Sequence, residues 1–179
     1  MLLKLIVYLA PIYIGIGLYI NWVIHHKDQS LIHKTILFLF FFYVISVIYL
    51  TLFPFLLDRA SLETIQEFGY QKGMINLIPF VSSMSMKQAI LNFIMLVPLG
   101  TMMPIVYQSM KTKTIILILI LTPLTIEVIQ ALGSWLLQGR WKQADINDFM
   151  LNAAGAIIGF IIYRALTKSF PKLKSFLLS

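Results

Sequence analysis

The sequence predicts an all-α polytopic membrane protein, a bundle of five transmembrane helices with a re-entrant or interfacial segment near residues 74–81. Three observations predict this fold class: 59% of the residues are hydrophobic, only 12% are charged, and mean hydropathy is +0.87. A soluble domain, which carries roughly 25% charged residues, cannot bury so much apolar surface at a length of 179 residues. The absence of cysteine excludes a disulfide scaffold and CxxC motifs. We therefore expect one integral membrane domain over residues 1–179.

Five apolar stretches approach or exceed the length of about 20 residues that a helix needs to cross a bilayer. In chain order they cover residues 5–24, 35–57, 89–107, 114–137 and 149–166. The first stretch lacks the small-residue cleavage site of a signal peptide, so we interpret it as a retained span.

The predicted loop between the second and third spans, residues 58–88, has two parts. Ser61 is suited to N-cap a short interfacial helix, which the glycines of residues 69–73 would end. Residues 74–81, Met-Ile-Asn-Leu-Ile-Pro-Phe-Val, are too apolar for a free loop and too short to span. This pattern favours a re-entrant or interfacial segment.

The distribution of lysine and arginine predicts the orientation, since short cytoplasmic segments are enriched in these residues. One side of the membrane receives Lys27, Lys34, Lys111, Lys113, Arg164, Lys168, Lys172 and Lys174. The other side receives Lys4, Arg59, Lys72, Lys87, Arg140 and Lys142, spread over longer segments. We therefore predict a cytoplasmic C-terminus and an N-terminus outside.

Glu127 is the clearest candidate functional residue, because an ionisable group at the centre of a membrane helix costs about 2.5–3.5 kcal/mol and usually marks function. At helical spacing Glu127 shares one face with Pro123, Gln130 and Ser134. We expect this face to point into the bundle.

The last span repeats the pattern, with Asp148, Asn152, Gly155 and Gly159 on one face. With the predicted orientation, a set of polar residues falls at or near the outer membrane face, with Glu127 deeper. This set comprises Asn76, Asn92, Gln130, Arg140, Asp145, Asp148 and Asn152. It predicts a polar cleft open to the outer leaflet.

Each candidate also has a structural interpretation. Asn92 and Asn152 could hydrogen-bond one helix to another, Asp145 could cap the fifth helix, and both glycines could allow close helix packing. Three histidines lie on the opposite side, where we expect a solvated loop; these are His25, His26 and His33.

The net charge of +7 does not indicate a nucleic-acid partner, because the basic residues lie next to spans, where they would face anionic lipid headgroups.

Four blocks of sequence closely resemble the VanZ-like family. They are Asn76-Leu-Ile-Pro-Phe80, Asn92-Phe-Ile-Met-Leu-Val-Pro-Leu-Gly100, Glu127-Val-Ile-Gln130 and Asp145-Ile-Asn-Asp148-Phe-Met-Leu-Asn152. They occur in the order of the family and cover roughly residues 74–160. The pattern of the family also has an arginine about three residues before the first aspartate. Here Arg140 stands five residues before Asp145, and Lys142 occupies the expected spacing.

The resemblance implies a multi-pass protein of the bacterial cytoplasmic membrane that acts in the cell envelope. In some members it implies resistance to lipoglycopeptides such as teicoplanin rather than to vancomycin. It supplies no established reaction, and it leaves the cofactor unknown.

Three hypotheses for function stay open at this point. In the first, the cleft binds a membrane lipid, a lipid-linked envelope precursor or an acylated lipoglycopeptide. In the second, a membrane-embedded enzyme uses Glu127 as an acid or base, and Arg140 or Lys142 grips a phosphate. Asp145 and Asp148 orient its lipid-linked substrate or hold a divalent cation. In the third, Glu127 couples lipid transport to protons, although the sequence shows no internal repeat.

Overall fold

The structure is a computed structural model that describes residues 2–25, 30–52, 75–80, 84–136 and 144–177. The helices in these ranges are α1 (Leu2–His25), α2 (Leu31–Leu52), α3 (Met86–Met95), α4 (Val97–Val106), α5 (Thr112–Leu136), α6 (Ile146–Ser169) and α7 (Pro171–Leu177). The strands are β1 (Ile75–Asn76) and β2 (Ala144–Asp145).

The predicted membrane spans are confirmed as helices. In the described ranges α2, the combined α3 and α4, α5 and α6 are long and apolar enough to cross a membrane, and α1 contributes a shorter apolar helix, Leu9–His25. Helices suit this role because each backbone N–H and C=O is bonded within its own segment. The predicted interfacial helix at Ser61 lies outside the described residues, as do Arg140 and Lys142.

The third span is broken at Leu96, between α3 and α4. Pro98 lies at the start of α4 and has no backbone N–H, so the helical hydrogen-bond ladder cannot run through unbroken. The Tyr43 hydroxyl of α2 donates a 2.8 Å hydrogen bond to the carbonyl of Met95 at the break. The break in one helix thus becomes an attachment point for another.

The closest helix packing joins α6 to α3 and α4. A Cβ atom on Gly155 would overlap the carbonyl oxygen of Phe93, and one on Gly100 would overlap the carbonyl oxygen of Ala156. Only residues without a side chain allow the backbones to approach so closely. The packing interpretation of the glycine face of the last span is confirmed.

The segment that follows β1 is a turn rather than a helix, and β1 pairs in parallel with β2 at Asn76 and Asp145. The side-chain oxygen of Asn76 accepts a hydrogen bond from the backbone N–H of Ile78 at 3.2 Å. The side-chain oxygen of Asn147 accepts one from the N–H of Phe80 at 2.9 Å. The apolar side chains of Leu77 and Phe80 are exposed. Asparagine side chains thus bond two backbone N–H groups of this segment, and its re-entrant or interfacial placement stays a prediction.

His33 corrects the expectation of a solvated histidine loop. Its side chain is only 4% exposed, its ring centroid lies 5.6 Å from that of Trp22 in α1, and Gln108 Nε2 lies 3.4 Å from its Nδ1. The sequence suggested a loop because polar residues surround it. However, α2 already begins at Leu31, so His33 lies in its first turn and faces α1.

Candidate functional site

A cavity of about 560 Å³ lies between α2, α3, α5 and α6. Five of the predicted site residues line it: Asn92, Glu127, Gln130, Asp148 and Asn152. They come from three different helices and converge because the polar faces of α5 and α6 both point inward. On α5 the predicted face is buried as a whole, with Pro123, Glu127, Gln130 and Ser134 all less than a tenth exposed. We call this cavity the large cavity, because it is the larger of the two cavities that predicted site residues line.

Asn92 and Asp148 lie next to each other in the lining of the large cavity. The Asn92 side-chain amide donates a 2.6 Å hydrogen bond to Oδ1 of Asp148, which ties α3 to α6. Asp148 stands in the first turn of α6, where the positive end of the helix dipole stabilises a carboxylate.

Gln130 joins α5 to α2. Its side-chain amide donates a 3.0 Å hydrogen bond to the backbone carbonyl of Thr51, and both residues are buried. Thr51 lies near the end of the described part of α2, so this bond fixes α5 against that part of α2.

Asn152 differs from these residues. It is 2% exposed, yet its side-chain oxygen has no hydrogen-bond partner among the described residues. A buried polar atom without a partner costs about 1–3 kcal/mol. This oxygen is therefore an acceptor that no described group satisfies, on a residue that lines the large cavity.

Glu127 is 8% exposed, and its Oε2 accepts a 2.9 Å hydrogen bond from the backbone N–H of Asp145. The sequence led us to expect Glu127 deeper than Asp145. The structure shows the two in direct contact. Glu127 lies nine residues, or about 14 Å along the axis, before Leu136, where the described part of α5 ends. Counting residues along one helix could not reveal this, because β2 and the start of α6 lie alongside the middle of α5.

A second, smaller cavity of about 200 Å³ lies on the other side of Glu127 and is lined by Asn76 and Asp145. The Asn76 amide donates to Oδ2 of Asp145 at 3.2 Å, while Oδ1 of Asp145 accepts a 2.8 Å hydrogen bond from the Asn147 N–H. The second bond makes Asp145 the N-cap of α6, as the structural interpretation predicts. The predicted site residues thus divide between two cavities, and Glu127 lines both.

Three residues that the sequence analysis did not select belong to this region. Asn147 is buried and bonds both Asp145 and the Phe80 backbone; its position between two candidate aspartates was the available signal. Tyr43 and Lys87 line the large cavity, and nothing in their sequence context indicates this.

Chemically, the large cavity combines two carboxylates, Glu127 and Asp148, with the free oxygen of Asn152. Its remaining wall is largely apolar and includes Leu50, Leu91, Ile94, Met95 and Pro98. Among the described residues, no three histidine, aspartate or glutamate side chains are grouped so that they could hold a metal ion. The arrangement suits a ligand with an apolar part and a polar part that donates hydrogen bonds.

Comparison with known proteins gives two matches and one negative result. Protein VanZ of Enterococcus faecium is 24% identical over 124 residues, which is 68% of this chain and 68% of that protein. No solved structure matches the chain. The family described as VanZ/LLP1 matches residues 40–167, from the middle of α2 to near the end of α6. This chain therefore belongs to the VanZ/LLP1 family.

Proposed function

We propose that this membrane protein acts in the cell envelope by binding an amphipathic ligand in the large cavity, either a lipid-linked envelope component or an acylated lipoglycopeptide such as teicoplanin. Binding without turnover is sufficient for this role. The name of the Enterococcus faecium relative and the motifs shared with its family support a link to teicoplanin resistance.

The observation that carries the proposal is the unpartnered side-chain oxygen of Asn152. A side chain without this oxygen would avoid the free-energy cost of a buried acceptor that has no donor. The missing donor is explained if a ligand supplies it, because Asn152 lines a cavity of about 560 Å³. Ligand sites commonly combine such placed polar groups with an apolar wall.

The chemistry of the wall narrows the ligand. Glu127, Asp148 and Asn152 offer acceptor oxygens, so they favour hydroxyl, amide or ammonium groups, which sugars, peptides and amine headgroups carry. The apolar side chains of Leu91, Ile94 and nearby residues suit an acyl chain. A ligand with both parts would enter most easily from the membrane.

The proposal also includes the orientation that the lysine and arginine distribution predicts. With the C-terminus cytoplasmic, the end of the molecule that holds Asn92 and Asp148 faces the outer leaflet. Lipid-linked cell-wall precursors and externally added drugs are both accessible from that side.

The test compares the susceptibility of isogenic cells to teicoplanin and vancomycin, without the gene and with matched variants. Ile94→Trp narrows the large cavity, whereas Ile90→Trp adds the same side chain one turn earlier on α3, outside it. The pair is matched because both isoleucines are about half exposed, 55% for Ile94 and 50% for Ile90. Asn152→Leu removes the free acceptor at similar volume.

We expect the wild type and Ile90→Trp to raise resistance to teicoplanin selectively, and Ile94→Trp and Asn152→Leu to lose the rise at equal protein levels in the membrane. Full resistance with both cavity variants would exclude the large cavity as the binding site. No rise with the wild type would exclude the drug as ligand and redirect the search to native envelope lipids.

A second candidate function is a membrane-embedded enzyme acting on the same class of lipid-linked substrate. The observation that favours it is that two carboxylates, Glu127 and Asp148, line one cavity. Glu127→Gln separates the two candidates, since glutamine still accepts a hydrogen bond from the Asp145 N–H but cannot exchange a proton. Retained resistance supports binding, whereas loss of resistance with unchanged ligand affinity supports the enzyme.

A further inference from the structure

A third cavity, of about 660 Å³, lies at the opposite end of the bundle from Asn92 and Asp148. It is formed where α4 ends, α5 begins and the last turns of α6 pass beside them. We call it the basic cavity. Its polar lining comprises Tyr107, Gln108, Thr112, Tyr163, Arg164, Thr167 and Lys168.

The two cations of the basic cavity stand on one face of α6, since Arg164 and Lys168 are four residues apart. None of the three described carboxylates lines the cavity. Asp148 lies on the same helix but 16 residues from Arg164, or about 24 Å along the axis. Within the described ranges, therefore, no carboxylate neutralises these charges.

Arg164 is oriented rather than loosely placed. Its guanidinium carbon lies 6.0 Å from the centroid of the Phe160 ring, and Phe160 is stacked against Tyr163 at 6.4 Å. A guanidinium held over a ring keeps its N–H groups at the edge, in the planar arrangement that matches a phosphate or carboxylate.

We propose that the basic cavity binds the phosphate of an anionic phospholipid headgroup. Arg164 and Lys168 supply the charge, and Thr112 begins a 25-residue helix whose first N–H groups also favour an anion. Basic pockets between membrane helices are a recognised site for such headgroups. This site is independent of the ligand proposed for the large cavity.

A free phosphate has the same headgroup chemistry, but the surroundings favour a lipid. Ile161 also lines the cavity and is 52% exposed, and Leu166, on the same helix, is 44% exposed. Exposed isoleucine and leucine beside a cationic site provide the apolar surface along which acyl chains lie. A soluble anion would gain nothing from it.

The experiment measures lipid binding to the purified full chain in detergent by native mass spectrometry. Phosphatidylglycerol is titrated alone, against phosphatidylcholine and against inorganic phosphate. The variants are Arg164→Gln and Lys168→Gln, with Arg164→Lys as the charge-preserving substitution. Lys172→Gln is the control, because Lys172 is a basic residue of the next helix, α7, but does not line the cavity.

We expect the dissociation constant for phosphatidylglycerol to rise about fivefold for each lost charge. Lys172→Gln should leave it unchanged, and Arg164→Lys should recover most of the affinity. Arg164 and Lys168 are exposed, so these variants should fold. A thermal melt of each variant identifies any that do not.

Three results would overturn the proposal. The first is equal affinity of the wild type and the charge-removing variants for phosphatidylglycerol. The second is binding of phosphatidylcholine to the wild type with the same affinity as phosphatidylglycerol. The third is displacement of phosphatidylglycerol by inorganic phosphate at comparable concentration, which would identify a soluble phosphate as the ligand. None of these results bears on the large cavity, whose test uses different residues.

Discussion

The side-chain amide of Asn92 lies 2.6 Å from Oδ1 of Asp148, so one hydrogen bond in the lining of the large cavity ties the third membrane span to the last. The two residues belong to different sequence blocks, 56 positions apart. The bond therefore gives a structural role to two residues that sequence analysis selected as a candidate site. Stability and ligand binding have to be measured separately at these positions.

Asn92→Leu should lower the free energy of unfolding in micelles by about 1–2 kcal/mol, because it removes a donor to a carboxylate between two helices. Gln88→Leu is the control: it lies one turn earlier on α3, is exposed, and its side chain makes no hydrogen bond to another described residue. Chemical unfolding monitored by tryptophan fluorescence provides the measurement. Equal losses for both variants would contradict a specific bond.

Gly155→Ala should destabilise the bundle by at least about 1–3 kcal/mol, the usual cost of overpacking. The added Cβ would overlap the carbonyl oxygen of Phe93, which belongs to a backbone and cannot turn aside. Gly17→Ala is the matched control, since a Cβ there would meet nothing within 4 Å. It should be neutral or slightly stabilising. If Gly155→Ala is as stable as Gly17→Ala in a thermal melt, the helices do not approach so closely.

Glu127→Leu should be less stable than Glu127→Gln by about 1–3 kcal/mol. Leucine leaves the backbone N–H of Asp145 without its acceptor, while glutamine retains a carbonyl oxygen in the same place. Hydrogen exchange at the Asp145 amide would report the bond directly. Equal exchange rates in the two variants would show that Glu127 does not hold β2.

Asn152→Leu should have the opposite effect to Asn92→Leu and raise the free energy of unfolding by about 1 kcal/mol in the ligand-free protein. The reason is that the Asn152 oxygen is buried without a partner, whereas the Asn92 amide is bonded. Asn92 and Asn152 line the same cavity, so the same substitution at both tests whether one side chain is bonded and the other is not. A loss of stability for Asn152→Leu would show that its oxygen is satisfied in solution.

The orientation can be tested with single cysteines, because the chain has none of its own. Met86 begins α3 and is exposed, while Ser109 lies in the exposed turn between α4 and α5. A membrane-impermeant maleimide should label Met86→Cys in spheroplasts and Ser109→Cys only after lysis. The reverse labelling would place the large cavity on the cytoplasmic side.

Several features were predictable from the sequence because they depend on local pattern. Apolar length determined the spans, and helical spacing identified the buried face of Glu127 and Gln130. The capping role of Asp145 could be foreseen from its place before a helix. The burial of His33 could not, because it depends on Trp22 and Gln108, which lie elsewhere in the chain.

The sequence by itself therefore determined a membrane-embedded helical bundle, its packing glycines and an inward polar face, since all of these follow from residue type and periodicity. Only the tertiary structure decided which polar groups meet. It placed Asp145 against the middle of α5, divided the candidates between two cavities, and left the Asn152 oxygen without a partner. The physical reason is that hydrogen bonding between helices depends on their relative depth and rotation, which no single helix encodes.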